Sequence, residues 1–124
     1  MEGYAVKIVE CSKELTAKQK IQLKDTTDAI KLDEVTQDGA VVIDPDMWVI
    51  LEIHNDKSDN KDYNNYLVVA KDGQKYVTGS ESFWSSFYDI ASEMKSSDEK
   101  WAVKVYKMPS KNYKGKEFIT CSVV

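Results

Sequence analysis

The hydrophobic pattern changes period several times along the chain, and each change marks an element. From Tyr4 to Glu10, Tyr4, Val6 and Ile8 alternate with Ala5, Lys7 and Val9, which predicts a first strand with apolar residues on both faces. At Thr16 the pattern shifts to helix formers. Thr16 can cap a short helix over Ala17 to Asp25, although Ile21 and Leu23 among alternating lysines also fit a strand. Asp28 to Glu34 is expected as an edge strand and Gln37-Asp38-Gly39 as a turn. Ala40 to His54 reads as one long strand bent at Asp44-Pro45-Asp46, because proline cannot donate to a central ladder. Beyond the bend, Met47, Val49, Leu51 and Ile53 form an apolar face; Trp48, Ile50, Glu52 and His54 form a mixed one.

Asn55 to Asn65 has no apolar period and is expected as a polar loop. Tyr66 to Lys71 and Gln74 to Thr78 flank Asp72-Gly73, which predicts a hairpin closed by a two-residue type I′ turn. Ser80 or Ser82 then caps a helix whose Phe83, Phe87, Ile90 and Met94 fall on one stripe, widened by Trp84, Tyr88 and Ala91. After an exit loop over Lys95 to Lys100, a second hairpin pairs Trp101 to Met108 with Glu117 to Val124 around a loop from Pro109 to Lys116. In its first strand Trp101, Val103 and Val105 share one face, and Lys104 and Tyr106 the other. The fold expected from this order is mainly β, of α+β class, in one domain over residues 1–124. It matches a five-stranded, partly open OB-like β-barrel with one main α-helix between strands 3 and 4. In such a fold the ligand lies over the second and third strands, and the loops joining strands one to two and four to five clamp it.

Composition changes this picture in one respect. With 124 residues, 42% hydrophobic and 31% charged, the chain suits one globular domain that needs neither disulfide nor metal. Cys11 and Cys121 lie in strand-like surroundings and read as buried reduced thiols, bridgeable only if the terminal strands pair. The start lacks a basic, then apolar, leader, and the longest strongly apolar run, Met47 to Leu51, is far too short to span a bilayer. No membrane partner and a cytoplasmic location are expected. The charge, however, is uneven. From position 100 onward there are six lysines against the single acid Glu117, whereas the preceding 99 residues hold eleven lysines against twenty acids. An acidic chain thus carries one basic, tyrosine-bearing hairpin.

Catalysis finds little support in the residues. There is one histidine, His54, no arginine, and no nucleophile motif, so no enzyme and no cofactor are expected. Asp56, Ser58, Asn60 and Asp62 alternate as in a calcium loop, but Lys61 and Leu67 stand where that loop requires glycine and an acid. No glycine loop for phosphate is present. The basic hairpin has two readings: a solvated edge in which lysine guards against aggregation, or a nucleic-acid clamp. In the clamp, Lys104, Lys107, Lys111, Lys114 and Lys116 track phosphates around Asn112, while Tyr106 and Tyr113 stack bases. Trp48, Tyr66 and Tyr76 are candidates for further platforms, with Tyr63 beside them. Without arginine there is no bidentate fork for guanine, so such binding is expected to tolerate any sequence.

Three segments carry a resemblance: Leu67-Val-Val-Ala-Lys-Asp-Gly73, Tyr76-Val-Thr-Gly-Ser-Glu-Ser-Phe-Trp84, and Lys104 through Cys121 with its Pro-Ser-Lys-Asn-Tyr-Lys-Gly-Lys loop. Together with Ile53 to Tyr63, they make the chain after Lys24 resemble the small single-stranded-DNA-binding proteins of phages and prophages of Gram-positive bacteria. The resemblance implies coating of single-stranded replication or recombination intermediates in the host cytoplasm. Phage or host replication and recombination proteins would be the partners, and the sequence leaves a homo-oligomer open. Bacterial single-strand binders recruit partners by an acidic tail ending in an aromatic residue; here the last residue is Val124, so recruitment through such a tail is not expected. The competing class is a protein-interaction module, such as a phage factor that inhibits a host protein, using the acidic surface of residues 1–99 as a DNA mimic.

Overall fold

A computed structural model describes residues 4–57, 62–109 and 117–124. Among these residues the order is β1 (Tyr4–Cys11), α1 (Ala17–Lys24), β2 (Ile30–Lys31), α2 (Leu32–Val35), β3 (Val41–Ile43), β4 (Pro45–Asn55), β5 (Asp62–Ala70), β6 (Lys75–Thr78), α3 (Glu81–Lys95), β7 (Val103–Pro109) and β8 (Glu117–Val123). The chain is mainly β, of α+β type. The strands form a five-stranded sheet ordered β1-β4-β5-β6-β2 and a three-stranded sheet ordered β3-β7-β8, not closed into one barrel. Eight strands among the described residues therefore stand where five were expected. The strands read over Tyr4 to Glu10 and Asp28 to Glu34 are present as β1 and the short β2, outside a five-strand count, and the long bent strand splits at Asp44, since Pro45 lacks the N–H that would continue the ladder. Contacts group the chain into two compact units, Met1–Ile30 with Asp46–Gly79, and Lys31–Pro45 with Ser80–Val124.

In the first unit β1 runs antiparallel to β4, with Ile8 opposite Leu51, and a bulge at Val9 shifts the register before Glu10 meets Ile50. Leu23, Val49, Leu51, Leu67 and Val77 form the core, with Val6, Ile8, Leu15, Met47 and Val69 packed against it. The helix reading of Ala17 to Asp25 holds, and its start is a capping box. The Gln19 N–H donates to Thr16 Oγ1 at 3.2 Å, and the Thr16 N–H to Gln19 Oε1 at 2.9 Å. At the other end Lys75 Nζ donates to the carbonyls of Gln22 and Asp25, satisfying acceptors that the last turn leaves open.

Three expectations change here. The edge strand over Asp28 to Glu34 is reduced to Ile30–Lys31, because Leu32 is fully buried at the start of one helical turn and Thr36 Oγ1 donates to the Leu32 carbonyl at 2.6 Å. The polar loop after Asn55 is shorter than expected, since β5 begins at Asp62, whose carboxylate meets His54 Nδ1 at 2.7 Å. The turn at Asp72-Gly73 is not of type I′, which needs positive φ at both residues. Only Gly73 has it, at φ 91°; the Gly73 N–H donates to the Ala70 carbonyl at 2.9 Å, and the Ala70 N–H to the Gln74 carbonyl at 2.9 Å. Lys71, Asp72 and Gly73 thus make a three-residue loop in which the positive φ falls on the one residue without a Cβ.

In the second unit α3 starts at Ser80, whose Oγ accepts from the Phe83 N–H at 3.2 Å. The rings of Phe83 and Phe87 are fully buried and stacked, with centroids 5.6 Å apart; Trp84 and Trp101 lie 5.5 and 6.4 Å from Phe87. Ile43, Val103, Val105, Ile119 and Cys121 are buried in the same unit. Ser82 Oγ donates to the Ile119 carbonyl at 3.0 Å and Ser86 Oγ lies 3.1 Å from Thr120 Oγ1, so α3 covers backbone along the edge strand β8. Both cysteines are free, as β1 pairs with β4 and β8 with β7. Among the described residues no helix is long and apolar enough to cross a membrane.

Candidate nucleic-acid interface

The β7–β8 hairpin presents its side chains by strict alternation. Val103 opposes Val123, Lys104 opposes Ser122, Val105 opposes Cys121, Tyr106 opposes Thr120, Lys107 opposes Ile119 and Met108 opposes Phe118. Directly opposite residues share a face, so Lys104, Tyr106, Met108, Phe118, Thr120 and Ser122 line one side. Val103, Val105, Ile119 and Cys121 are buried on the other. β3 adds Val42 opposite Lys104, placing it on the first side as well.

Lys104 is exposed on that side. Tyr106 is half-buried, and its Oη lies 2.7 Å from Ser122 Oγ, one pair along on the neighbouring strand. That hydrogen bond holds the phenol ring in one orientation against the sheet. Lys107, expected to track phosphates, does not share that side. Two residues beyond Val105, it falls on the core-facing side opposite buried Ile119 and is itself half-buried. Lys111, Asn112, Tyr113, Lys114 and Lys116 lie outside the described residues.

The aromatic candidates of the first unit fare differently. Tyr66 is only 7% exposed, in a strand whose successive residues Tyr66, Leu67 and Val68 are all buried, so it belongs to the interior and presents no ring face to a base. Trp48 is half-buried on β4, with its N–H donating to Ser12 Oγ and its carbonyl accepting from the Ser12 N–H, both at 3.0 Å. Tyr76 is half-buried opposite Val68; that burial, and then the charge of Asp72, push its phenol pKa up.

Sequence reading missed Met108 and Phe118. They face each other across the hairpin, 41% and 37% exposed, on the same side as Tyr106, with Val42 at 61% further along. The signal was present, since Met108 stands two residues from Tyr106 and Phe118 two from Thr120. Only the register shows that they meet. The result is a sheet face with a tethered phenol, an exposed phenyl ring and a thioether, flanked by a lysine and lying at the base of the lysine-rich segment.

Elsewhere, His54 stands between two carboxylates, with Nδ1 2.7 Å from Asp62 and Nε2 2.8 Å from Asp56. Among the described residues no group of three His, Cys, Asp or Glu side chains is arranged to hold a metal ion. Comparison with protein families, with curated proteins and with solved structures matches nothing to this chain.

Proposed function

We propose that the chain binds single-stranded DNA without sequence preference, through the outward face of the β7–β8 hairpin and the lysine-rich segment 110–116. The observation that carries this reading is the row of half-buried Tyr106 with exposed Met108 and Phe118 beside Lys104 on one sheet face. An apolar patch on a sheet face marks surface suited to a ligand. Bases stacked on Tyr106 and Phe118 cover it, at about 1–3 kcal/mol per base. Lysine ammoniums on phosphates supply the salt-dependent remainder, and the lack of arginine leaves base edges unread.

The strand order supports an OB-like arrangement. β3 and β4 are the two halves of a bent first strand, β5 and β6 the second and third, α3 the intervening helix, and β7 and β8 the fourth and fifth; β3 pairs antiparallel with β7. On that reading segment 110–116 is the loop between strands four and five, one of the two that clamp ligands in such folds. The role in the cell is the coating of replication or recombination intermediates of a phage in its host's cytoplasm. Phage or host replication and recombination proteins are the partners, and self-association fits the same role. No catalytic step and no cofactor enter.

A protein-interaction module is the second reading, favoured by the exposure of Val42, 61%, on the same face as the row. Titration of labelled oligo-dT at several salt concentrations separates the two. The double substitution Lys111→Ala, Lys114→Ala is expected to reduce the slope of log K against log salt by about 1.4, at roughly 0.7 per phosphate contact. Phe118→Ala is expected to weaken binding by about 1–3 kcal/mol with the slope unchanged, because stacking releases no counterion. If the lysine variant binds with wild-type affinity and salt dependence, the hairpin is a solvated edge and the interaction-module reading takes its place.

A further inference from the structure

Helix α1 is built unlike an ordinary surface helix. Of its eight residues only Leu23 is buried, so it contributes little to the core. Ile21, two positions and about 200° away on the helical wheel, points outward and is 71% exposed, more than any other large apolar side chain among the described residues. Lys18, Lys20 and Lys24 are all exposed, and the stretch from Leu15 to Lys24 contains no acid. This arrangement works against the helix itself. Lys18 stands in the first turn, where the macrodipole favours negative charge, and Lys20 and Lys24 are a like-charged i, i+4 pair, although Lys24 in the last turn is itself well placed. The helix is nevertheless held at both ends, by the Thr16 capping box and by Lys75 Nζ on the carbonyls of Gln22 and Asp25. None of Lys18, Lys20 and Lys24 forms a salt bridge among the described residues. Lys13 is engaged with Asp46 at 2.9 Å, and the Asp25 carboxylate accepts from the Thr27 N–H at 3.1 Å.

A polyanion would turn this electrostatic cost into a gain. An anionic membrane fits poorly, because eight residues span about 12 Å and a single isoleucine offers far less apolar area than an interfacial helix needs. We infer that the outward face of α1 is a second contact for the single strand, with Lys18, Lys20 and Lys24 on phosphates and Ile21 against a base or sugar. This rests on the single-strand reading of the hairpin, and it places one contact in each of the two compact units.

The triple substitution Lys18→Gln, Lys20→Gln, Lys24→Gln, made in the whole chain, tests it by titration of oligo-dT against salt. Glutamine keeps helix propensity, and the positions are exposed. The expected result is a slope of log K against log salt reduced by about 2 and an affinity near 0.1 M salt lowered roughly 100-fold. The triple Lys→Arg variant should retain the wild-type slope. Single substitutions should each remove about 0.7, which keeps the test usable if the triple variant is unstable. A wild-type slope in the glutamine variant, with binding still weakened by the hairpin substitutions, overturns this inference and leaves the hairpin reading standing. If the wild-type chain does not bind oligo-dT at all, the hairpin reading falls first and this one with it. Loss of binding to phosphatidylserine vesicles with unchanged oligo-dT binding would make the face a lipid contact and also overturn the inference.

Discussion

His54 shows how a single side chain can be tied to pH without being buried. A neutral imidazole has one N–H and can donate to only one carboxylate, whereas the imidazolium can donate to both Asp62 at 2.7 Å and Asp56 at 2.8 Å. The Asp62 hydrogen bond, with the smaller help of Asp56 and against some desolvation, holds the pKa above the ordinary 6.5. A raised pKa means that the folded state binds the proton more tightly than the unfolded one. The stabilisation is therefore complete below 6.5 and is lost as pH rises through the folded value. An NMR titration of the His54 ring should give a midpoint above 6.5, and Asp62→Asn should move it down. An unshifted midpoint in the wild-type chain would show that the two carboxylates do not hold the ring in solution. Cys121 makes the opposite case, since burial pushes its thiol up to about 12. Only the thiolate reacts, so a thiol reagent at neutral pH should label Cys11 and reach Cys121 only on denaturation. Rapid labelling of both in the native chain would contradict the burial of Cys121 on β8.

At the scale of elements, α3 and the β5–β6 turn carry the clearest expectations. Phe87 is fully buried and in ring contact with Phe83, Trp84 and Trp101. Phe87→Ala should cost about 3–5 kcal/mol, read as a lowered urea midpoint; a shift no larger than that of Tyr88→Ala, on the exposed flank, would contradict the face assignment. Gly73 has φ 91° and open space where a Cβ would stand, so Gly73→Ala is penalised by the backbone alone. A loss of about 1–2 kcal/mol is expected. Both elements could be read from local residues: the four-residue spacing of the phenylalanines for the helix, Asp-Gly for the turn. The type of turn could not, because Asp-Gly suits more than one hairpin geometry. The pairing of Val69 with Lys75, continued by the Ala70 N–H on the Gln74 carbonyl, left three residues, Lys71 to Gly73, to make the reversal.

For the whole molecule, the net charge of −4 is a poor guide to binding. Screening limits a charge's reach to about 8 Å at physiological salt, so a bound strand experiences the lysines beside it more than the total. Binding to oligo-dT should weaken as salt rises despite the negative net charge. Affinity that stays constant across salt would instead favour a partner held by the apolar row of Val42, Met108 and Phe118.

What the sequence determined by itself lies within a few residues' reach. Alternation marked β1, β4, β7 and β8; Thr16 with Gln19, and Ser80 before Phe83, marked helix starts; Pro45 marked the break between β3 and β4. These signals act through neighbours two, three or four positions away, and the chain carries them wherever it folds. Exposure is of a different kind, because it depends on what covers each face. Tyr66 has the composition of a stacking platform and lies in the interior, since β5 is buried on both sides from Tyr66 to Val68. Met108 and Phe118 look like core residues and stand exposed together, because the register of β7 with β8 brings them opposite each other on the uncovered face. The outward display of Ile21 likewise depends on the docking of α1 through Leu23 and Lys75, which are brought together by residues more than fifty positions apart in the chain. Local pattern decided which elements form; only strand pairing and packing decided which side chains they leave for a ligand.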